Sequence, residues 1–100
     1  MRIEFDNEYL SIMKGTYDTT NNIALQLMCN DEEPYVTLTV NIVRLPKDHA
    51  CIDTNNFPEA EELIEEYELG TYTGTTIPSG YCEYPVYKLN MYNINKYLMN

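Results

Sequence analysis

The chain has 100 residues, 44% of them hydrophobic, and its six basic and 16 acidic side chains give a formal charge of −10. This length predicts a single domain, residues 1–100, that can bury a hydrophobic core. The basic residues are scattered singly along the sequence. Because affinity for a phosphate backbone depends on clustered Lys and Arg, the charge argues against a nucleic-acid ligand and favours a basic protein partner.

The first eight residues contain no apolar run typical of a signal peptide, and no window reaches the length of a membrane span. These features predict a cytoplasmic protein that does not enter a membrane. The three cysteines, Cys29, Cys51 and Cys82, are an odd number at wide spacings without a C-x-x-C motif. Such a pattern favours reduced, mostly buried thiols over disulfides.

The first third of the sequence predicts strands and turns. Residues 3–5 and 9–13 alternate apolar and polar side chains around polar residues 6–8, which indicates either a hairpin or one bulged strand. A turn is predicted over residues 14–22 and a further strand over residues 23–29.

The most regular pattern spans residues 35–42 and predicts the central strand of an antiparallel sheet. Apolar and polar residues alternate strictly along it. One face carries Val36, Leu38, Val40 and Ile42, and the other carries Tyr35, Thr37, Thr39 and Asn41. The apolar face is expected to lie on the core, and the polar face is expected to be open to solvent or to a partner.

A helix is predicted over residues 59–69. Pro58 suits the first helical turn, because the missing N–H of proline has no helical partner there. An apolar stripe with helical spacing comprises Ala60, Leu63, Ile64 and Tyr67. Gly70 is placed to end the helix in the left-handed conformation.

Short strands are predicted on both sides of this helix, at residues 49–52 and 71–77. A turn at residues 78–80 then leads into a last strand at residues 81–89. Proline cannot donate a ladder hydrogen bond, so Pro85 is expected at a sheet edge or at a bulge.

Together these elements predict an α+β fold, in which a single antiparallel sheet of about five to six strands carries one amphipathic helix packed on one face. Residues 91–100 fit either a short helix or a loosely packed tail. The expected core comprises Ile23, Leu25, Leu27, Val36, Leu38, Val40, Leu63, Ile64 and Tyr67.

Glutamates are the most conspicuous charged feature of the predicted helix. They occupy positions that the apolar stripe leaves free, namely Glu59, Glu61, Glu62, Glu65, Glu66 and Glu68. A charged face is usually a solvated one, but this face has no Lys or Arg, and like charges four residues apart repel by a few tenths of a kcal/mol. Two interpretations follow: a solubilising surface, or a binding surface for a groove rich in Lys and Arg.

Ten tyrosines and no tryptophan form the second feature, and seven of the tyrosines fall after residue 66. Tyrosine serves equally in cores and as a rigid amphipathic anchor at interfaces. Tyr35, Tyr84 and Tyr87 are the candidates for partner contacts from a strand face.

Metal and catalytic chemistry find little support in the sequence. His49, Cys51 and Cys82, with Asp48 or Asp53 as a fourth ligand, match no standard zinc spacing. Ser11 and Ser79 have no activating motif, and the four glycines are isolated. We therefore expect a non-enzymatic protein without metal or other cofactor.

Two segments resemble small uncharacterised proteins that are encoded by phages and integrative mobile elements of bacteria. They are the strand Pro-Tyr-Val-Thr-Leu-Thr-Val-Asn at residues 34–41 and the stretch Thr-Gly-Thr-Thr-Ile-Pro-Ser-Gly-Tyr at residues 73–81. The resemblance covers about residues 20–90. It implies a bacterial host cytoplasm, where small acidic proteins of this kind often inhibit host defence by occupying the nucleic-acid groove of a nuclease.

Two hypotheses from different classes follow. The first is a nucleic-acid mimic that inhibits a host defence nuclease, such as a CRISPR effector or a restriction enzyme, by placing its acidic helix in a basic groove. The second is an accessory interaction or oligomerisation module of a mobile element, acting through its tyrosine-bearing strand face as a monomer or homodimer. A small enzyme or metal protein ranks third.

Overall fold

Eight β-strands and two short helices make up the protein in a computed structural model that describes residues 1–99. The strands are β1 (Ile3–Phe5), β2 (Glu8–Thr16), β3 (Ile23–Met28), β4 (Pro34–Thr37), β5 (Thr39–Val40), β6 (His49–Ile52), β7 (Gly70–Ser79) and β8 (Cys82–Leu89). The helices are α1 (Ala60–Glu66) and α2 (Met91–Asn95). The strands form two four-stranded sheets. The predicted α+β fold with a single sheet and one helix packed on its face is therefore wrong, because the protein is mainly β.

The first sheet has the order β1-β2-β3-β4, with all neighbours antiparallel. β1 and β2 form a hairpin through the two-residue turn Asp6-Asn7, whose φ angles are 50° and 63°. Asp and Asn tolerate this left-handed conformation, and such turns match the twist of paired strands. Of the two predicted alternatives for this segment, the structure has the hairpin. β2 runs on to Thr16, into the predicted turn at residues 14–22.

The predicted central strand, residues 35–42, is divided between the two sheets. β4 pairs with β3 in the first sheet, and β5 pairs with β6 in the second. Leu38 lies between them; its N–H donates to the Leu25 carbonyl at 2.9 Å, and its carbonyl accepts from Asp53 N–H at 2.8 Å. One residue thus holds backbone hydrogen bonds to segments of both sheets.

Thr39 shows how a backbone N–H is hydrogen-bonded at the point where the chain crosses from the first sheet to the second. Its side chain is 2% exposed, and its Oγ1 accepts from the Leu25 N–H at 3.1 Å and is hydrogen-bonded to the Tyr17 hydroxyl at 2.9 Å. A side-chain oxygen thereby serves as the acceptor for a strand N–H. Leu38 is buried and Thr37 exposed, as predicted, but the prediction of an exposed Thr39 is wrong.

The second sheet has the order β5-β6-β8-β7, so β7 is an outermost strand. Pro85 lies on β8 opposite Thr76, where the register with β7 shifts between Tyr72 and Thr76. The extra residues of β7 include Gly74, whose φ of 86° is readily adopted by glycine. The prediction that Pro85 lies at an edge or a bulge is confirmed.

The predicted helix exists but is shorter than residues 59–69, since α1 spans Ala60–Glu66. Its Ala60, Leu63 and Ile64 are buried, as the apolar stripe predicts. α1 packs into the core shared by the two sheets and does not cover one face of a single sheet.

The end of α1 differs from the prediction. Glu68, with φ of 52°, takes the left-handed position, and Leu69 N–H donates to the Ile64 carbonyl at 2.8 Å, as in a Schellman cap. Gly70 instead begins β7. A Cβ at Gly70 would lie 2.9 Å from the Lys88 carbonyl oxygen, so close strand packing, and not helix termination, requires this glycine.

Both sheets and both helices contribute to one main core. Of the expected core residues, Leu25, Leu27, Leu38, Leu63 and Ile64 are buried, whereas Ile23, Val36, Val40 and Tyr67 are partly buried. The chain's last described segment also contributes. Ile94 of α2 is fully buried, and Leu98 forms a parallel bridge with Ile12 of β2.

Candidate protein-binding site

The glutamates of the α1 region lie on the surface, with one exception. Glu61 is half-buried, and the exposed members are Glu59, Glu62, Glu65, Glu66 and Glu68. We call these five exposed carboxylates the acidic helix surface. The sequence has no Lys or Arg between Lys47 and Lys88, so neither α1 nor its flanking segments carry a cation. The α1 region itself therefore contributes only negative charge, and the next cation along the chain, Lys88, lies opposite Thr71 on β8.

Glu61 is held by the second sheet. Its Oε2 accepts a hydrogen bond of 2.6 Å from the Tyr87 hydroxyl. Burial, this hydrogen bond and the negative charges of Glu61 and Glu65 raise the pKa of Tyr87 far above its usual range. The bond ties α1 to β8 and removes Glu61 from the set of carboxylates that a partner could contact.

A groove of about 560 Å³ lies between the end of α1, the start of β7 and α2. It is lined by Glu65, Glu68, Gly70, Thr71, Tyr72, Asn90 and Asn93. The Tyr72 side chain is 44% exposed, and its ring packs on the buried Tyr87 ring at a centroid distance of 5.7 Å. The Asn93 amide donates to the Glu68 carbonyl at 2.8 Å and so fixes α2 against the end of α1. We call this feature the helix–edge groove.

The three tyrosines predicted at a partner surface do not form one. Tyr87 is fully buried in the main core, and Tyr84, on the opposite face of β8, is 9% exposed in a second, smaller cluster. Tyr35 is half-buried against Phe5, and its hydroxyl donates to Asp6 at 3.4 Å. The structure therefore corrects this part of the prediction. The most exposed tyrosines are Tyr9, Tyr72, Tyr81 and Tyr92.

A second acidic region, which the sequence analysis missed, surrounds Cys29 at the end of β3. The Cys29 thiol donates to Glu8 Oε1 at 3.6 Å. Burial of the thiol, this hydrogen bond and the charges of Glu8, Asp31 and Glu33 raise the pKa of Cys29. Burial likewise raises the pKa of Cys51. Both thiols therefore favour the protonated form, which is a poor nucleophile.

Basic side chains that are distant in the sequence are brought together by the fold. Lys14 and Lys47 line one cavity of about 500 Å³, and Arg44 lines an adjoining cavity that also includes Lys47. The pairing of β2 with β3 and the loop after β5 create this proximity, so the linear sequence could not reveal it. Asp48 lines both cavities, so each also carries an acidic side chain.

The weakly matched zinc pattern has no structural counterpart. Cys51 pairs with Val86, and Cys82 precedes Val86 by four residues in β8, a distance of about 13 Å between Val86 and Cys82 along an extended strand. His49 Nδ1 is hydrogen-bonded to the Lys47 carbonyl at 2.8 Å. Within residues 1–99, no group of three or more His, Cys, Asp or Glu side chains is arranged to hold a metal ion.

Residues 10–100 match a protein family described as Domain of unknown function (DUF4313). The chain belongs to the DUF4313 family. The match includes the acidic helix surface and the helix–edge groove and leaves out residues 1–9, which contain β1, the first turn and the start of β2. No curated protein and no solved structure matches the chain. Among residues 1–99, no helix is long and apolar enough to cross a membrane.

Proposed function

We propose that this DUF4313 chain is a small, acidic, non-enzymatic protein that binds a basic surface of another protein through its acidic helix surface. The observation that carries the proposal is the exposure of five glutamates within ten residues, Glu59 to Glu68, in a region without Lys or Arg. Complementary potentials accelerate association and select the partner.

Local energetics support a role beyond solubility. Glu62 and Glu66 are exposed and one helical turn apart on α1, so their charges repel each other by a few tenths of a kcal/mol. Opposite charges on a partner would offset this repulsion in the complex. A solvated helix face commonly mixes Glu with Lys, because opposite charges four residues apart stabilise the helix, and this face has no Lys.

The finer form of the proposal concerns the partner. The resemblance of residues 34–41 and 73–81 to proteins of phages and mobile elements supports a bacterial defence nuclease, either a CRISPR effector or a restriction enzyme. The carboxylates of the acidic helix surface would then occupy the basic groove that otherwise binds nucleic-acid phosphates. The protein would act as a stoichiometric inhibitor in the host cytoplasm.

Four substitutions test the acidic helix surface directly. The variant E59Q/E62Q/E65Q/E66Q removes four charges but keeps Glu61, whose hydrogen bond to Tyr87 supports the fold. The control D18N/E32Q/E33Q/E83Q removes four exposed charges from loops and from β8. The two variants therefore have the same net charge, and a difference between them reports the position of the charges.

The partner is first isolated by affinity capture from bacterial lysate and identified by mass spectrometry, and its affinity for each variant is then measured. We expect the helix variant to bind far more weakly than the control, and binding of the wild type to weaken as salt shortens the Debye length from ~10 Å at 0.1 M to ~3 Å at 1 M. In a nuclease-protection assay, only the helix variant should fail to inhibit. Equal binding by both folded variants would refute the proposal.

One observation favours the second candidate, an interaction or oligomerisation module. Tyr9 and Met13 on β2 are 56% and 41% exposed, and the cross-strand partner of Met13 is the uncharged Gln26. This part of the first sheet could bind a partner through contacts that do not depend on charge. The variant Y9S/M13S should then lose partner binding or self-association in sedimentation measurements, while the four-glutamine helix variant retains both.

A further inference from the structure

We propose that the outer edge of β7 at the helix–edge groove binds an extended segment that carries Lys or Arg, by adding it to the second sheet as a fifth strand. This inference rests on the proposed function, because it names the kind of basic segment that the acidic helix surface would receive. Such strand addition obtains affinity from backbone hydrogen bonds and specificity from side-chain contacts.

The backbone directions around β8 show which groups of β7 are free. Asn90 N–H donates to the Leu69 carbonyl at 2.8 Å, and Leu89 N–H donates to the Asp48 carbonyl at 2.6 Å. The backbone of Asn90 therefore faces the β7 side, and the backbone of Leu89 faces the β6 side. Directions alternate along a strand, so Lys88 also faces β7.

The same alternation applies to β7. Thr71 pairs with Lys88, and its backbone groups point toward β8 together with those of Leu69. The N–H and C=O groups of Gly70 and Tyr72 must then point away from β8. No strand lies on that side, because β7 is outermost in the sheet. Gly70 and Tyr72 line the helix–edge groove, so the free donors and acceptors are accessible within it.

The composition of this edge is unusual for an unpaired strand. Natural edge strands are commonly protected from pairing by Lys or other charged side chains. β7 has no charged residue in its ten positions, and its bulge and Pro78 lie beyond the groove. Protection near Gly70 and Tyr72 comes from the neighbouring carboxylates of Glu65 and Glu68. These repel a second copy of this acidic chain but attract a basic segment, which makes the edge selective.

The groove also offers contacts for a cationic side chain. Glu65 and Glu68 provide two carboxylates, and the exposed ring of Tyr72 provides an aromatic face. The volume of about 560 Å³ can hold the long side chain of Lys or Arg. A strand paired with Gly70 and Tyr72 would therefore place a basic side chain where both charge and stacking favour it.

The test uses a synthetic eight-residue peptide that alternates Lys and Thr, added to the isotope-labelled full chain. We expect NMR to show slowed hydrogen exchange at the Gly70 and Tyr72 amides on binding. A peptide of the same sequence and charge, but with N-methyl groups on all of its backbone amides, should bind at least about tenfold more weakly, because neither of its edges can form the ladder. A peptide with Glu in place of Lys should not bind.

Paired variants separate the groove from the rest of the helix. E65Q/E68Q changes two groove residues, whereas E62Q/E66Q removes the same charge from α1 positions that do not line the groove. We expect the first variant to weaken peptide binding more than the second.

Absence of peptide binding, equal binding of the N-methylated peptide, or unprotected Gly70 and Tyr72 amides would overturn strand addition. Protection that rises with protein concentration in the absence of peptide would assign the edge to a second copy instead. None of these results would alter the comparison of the four-glutamine helix variant with its control, which tests the proposed function separately.

Discussion

The hydroxyl of Tyr87 donates a 2.6 Å hydrogen bond to Glu61 Oε2, from a ring with no exposed surface. Tyr87 belongs to β8 and Glu61 to α1, so this contact joins the second sheet to the helix that carries the acidic surface. The exposed ring of Tyr72 covers Tyr87 on its outer side. Together with the buried apolar residues of α1, this bond fixes the helix beside β8 and next to the helix–edge groove.

Replacing Tyr87 with Phe removes the hydroxyl and leaves the ring. We expect the Y87F variant to lose about 1.5–3 kcal/mol of unfolding free energy, the range for a hydrogen bond to a charged group. The matched control is Y72F, which removes a hydroxyl from the exposed ring next to it and should change stability by less than about 0.5 kcal/mol. Urea unfolding followed by circular dichroism measures both, and similar losses in the two variants would contradict the structural role of the bond.

Tyr87 should also make the protein sensitive to alkali. Its folded-state pKa lies above the ordinary value of 10.0, mainly because of burial and the hydrogen bond to Glu61. Above the ordinary value of 10.0, the unfolded chain releases the phenolic proton while the folded protein keeps it, so the unfolding free energy falls as pH rises. The stabilisation by Tyr87 is fully present below about pH 10. Above that pH, the unfolding free energy falls with a limiting slope of about 1.4 kcal/mol per pH unit.

The difference between wild type and Y87F isolates this effect, because the other tyrosines and the lysines titrate in both proteins. Unfolding free energies measured from about pH 8 to about pH 11 should converge as pH rises past the ordinary tyrosine pKa. Parallel pH profiles for the two proteins would show that Tyr87 titrates normally.

Thr39 gives a third prediction, at the crossing between the sheets. The T39V variant keeps shape and strand preference but leaves the Leu25 N–H without its 3.1 Å acceptor, which should cost about 1–3 kcal/mol. Thr37 is two residues earlier and exposed. T37V should therefore be neutral within about 0.5 kcal/mol. Equal effects of the two substitutions in chemical denaturation would mean that the side chain of Thr39 does not satisfy the backbone there.

The same crossing shows why the fold class could not be predicted. The alternation over residues 35–42 correctly indicates extended backbone, which is a local property. Sheet membership depends on partners far away in the sequence, Leu25 and Asp53, and nothing in the strand itself indicates that Leu38 bonds to both. The pattern is equally compatible with one continuous strand.

The sequence predicts the part of the candidate site that comes from one segment. It does not predict the part that the fold brings together from several segments. Helical spacing and composition predict the acidic helix surface from one segment of sequence. The groove brings together Glu65, Tyr72 and Asn93 from three elements. Tyr72 and Tyr87 are cross-strand partners with opposite exposure, because Tyr72 is on the outermost strand and Tyr87 is on a strand paired on both sides. Residue type alone does not separate them.

Gly70 gives the last prediction, because it links the fold to the groove. A Cβ at this position would lie 2.9 Å from the Lys88 carbonyl oxygen and 3.4 Å from the Leu89 Cα, both backbone atoms that move only if the strands separate. We expect G70A to destabilise the protein by about 1–3 kcal/mol, as overpacking usually does.

Gly15 on β2 provides the control, since a Cβ there meets nothing within 4 Å. G15A should be neutral or should stabilise by about 0.4–1 kcal/mol, because alanine restricts the unfolded chain. In urea unfolding, the same chemical change is therefore expected to destabilise the protein at Gly70 but not at Gly15. If strand separation at Gly70 also displaces the outer edge of β7, G70A will weaken binding of the Lys/Thr peptide under conditions where it is still folded. A G70A variant as stable as G15A would show that β7 and β8 are not packed as closely as the structure places them.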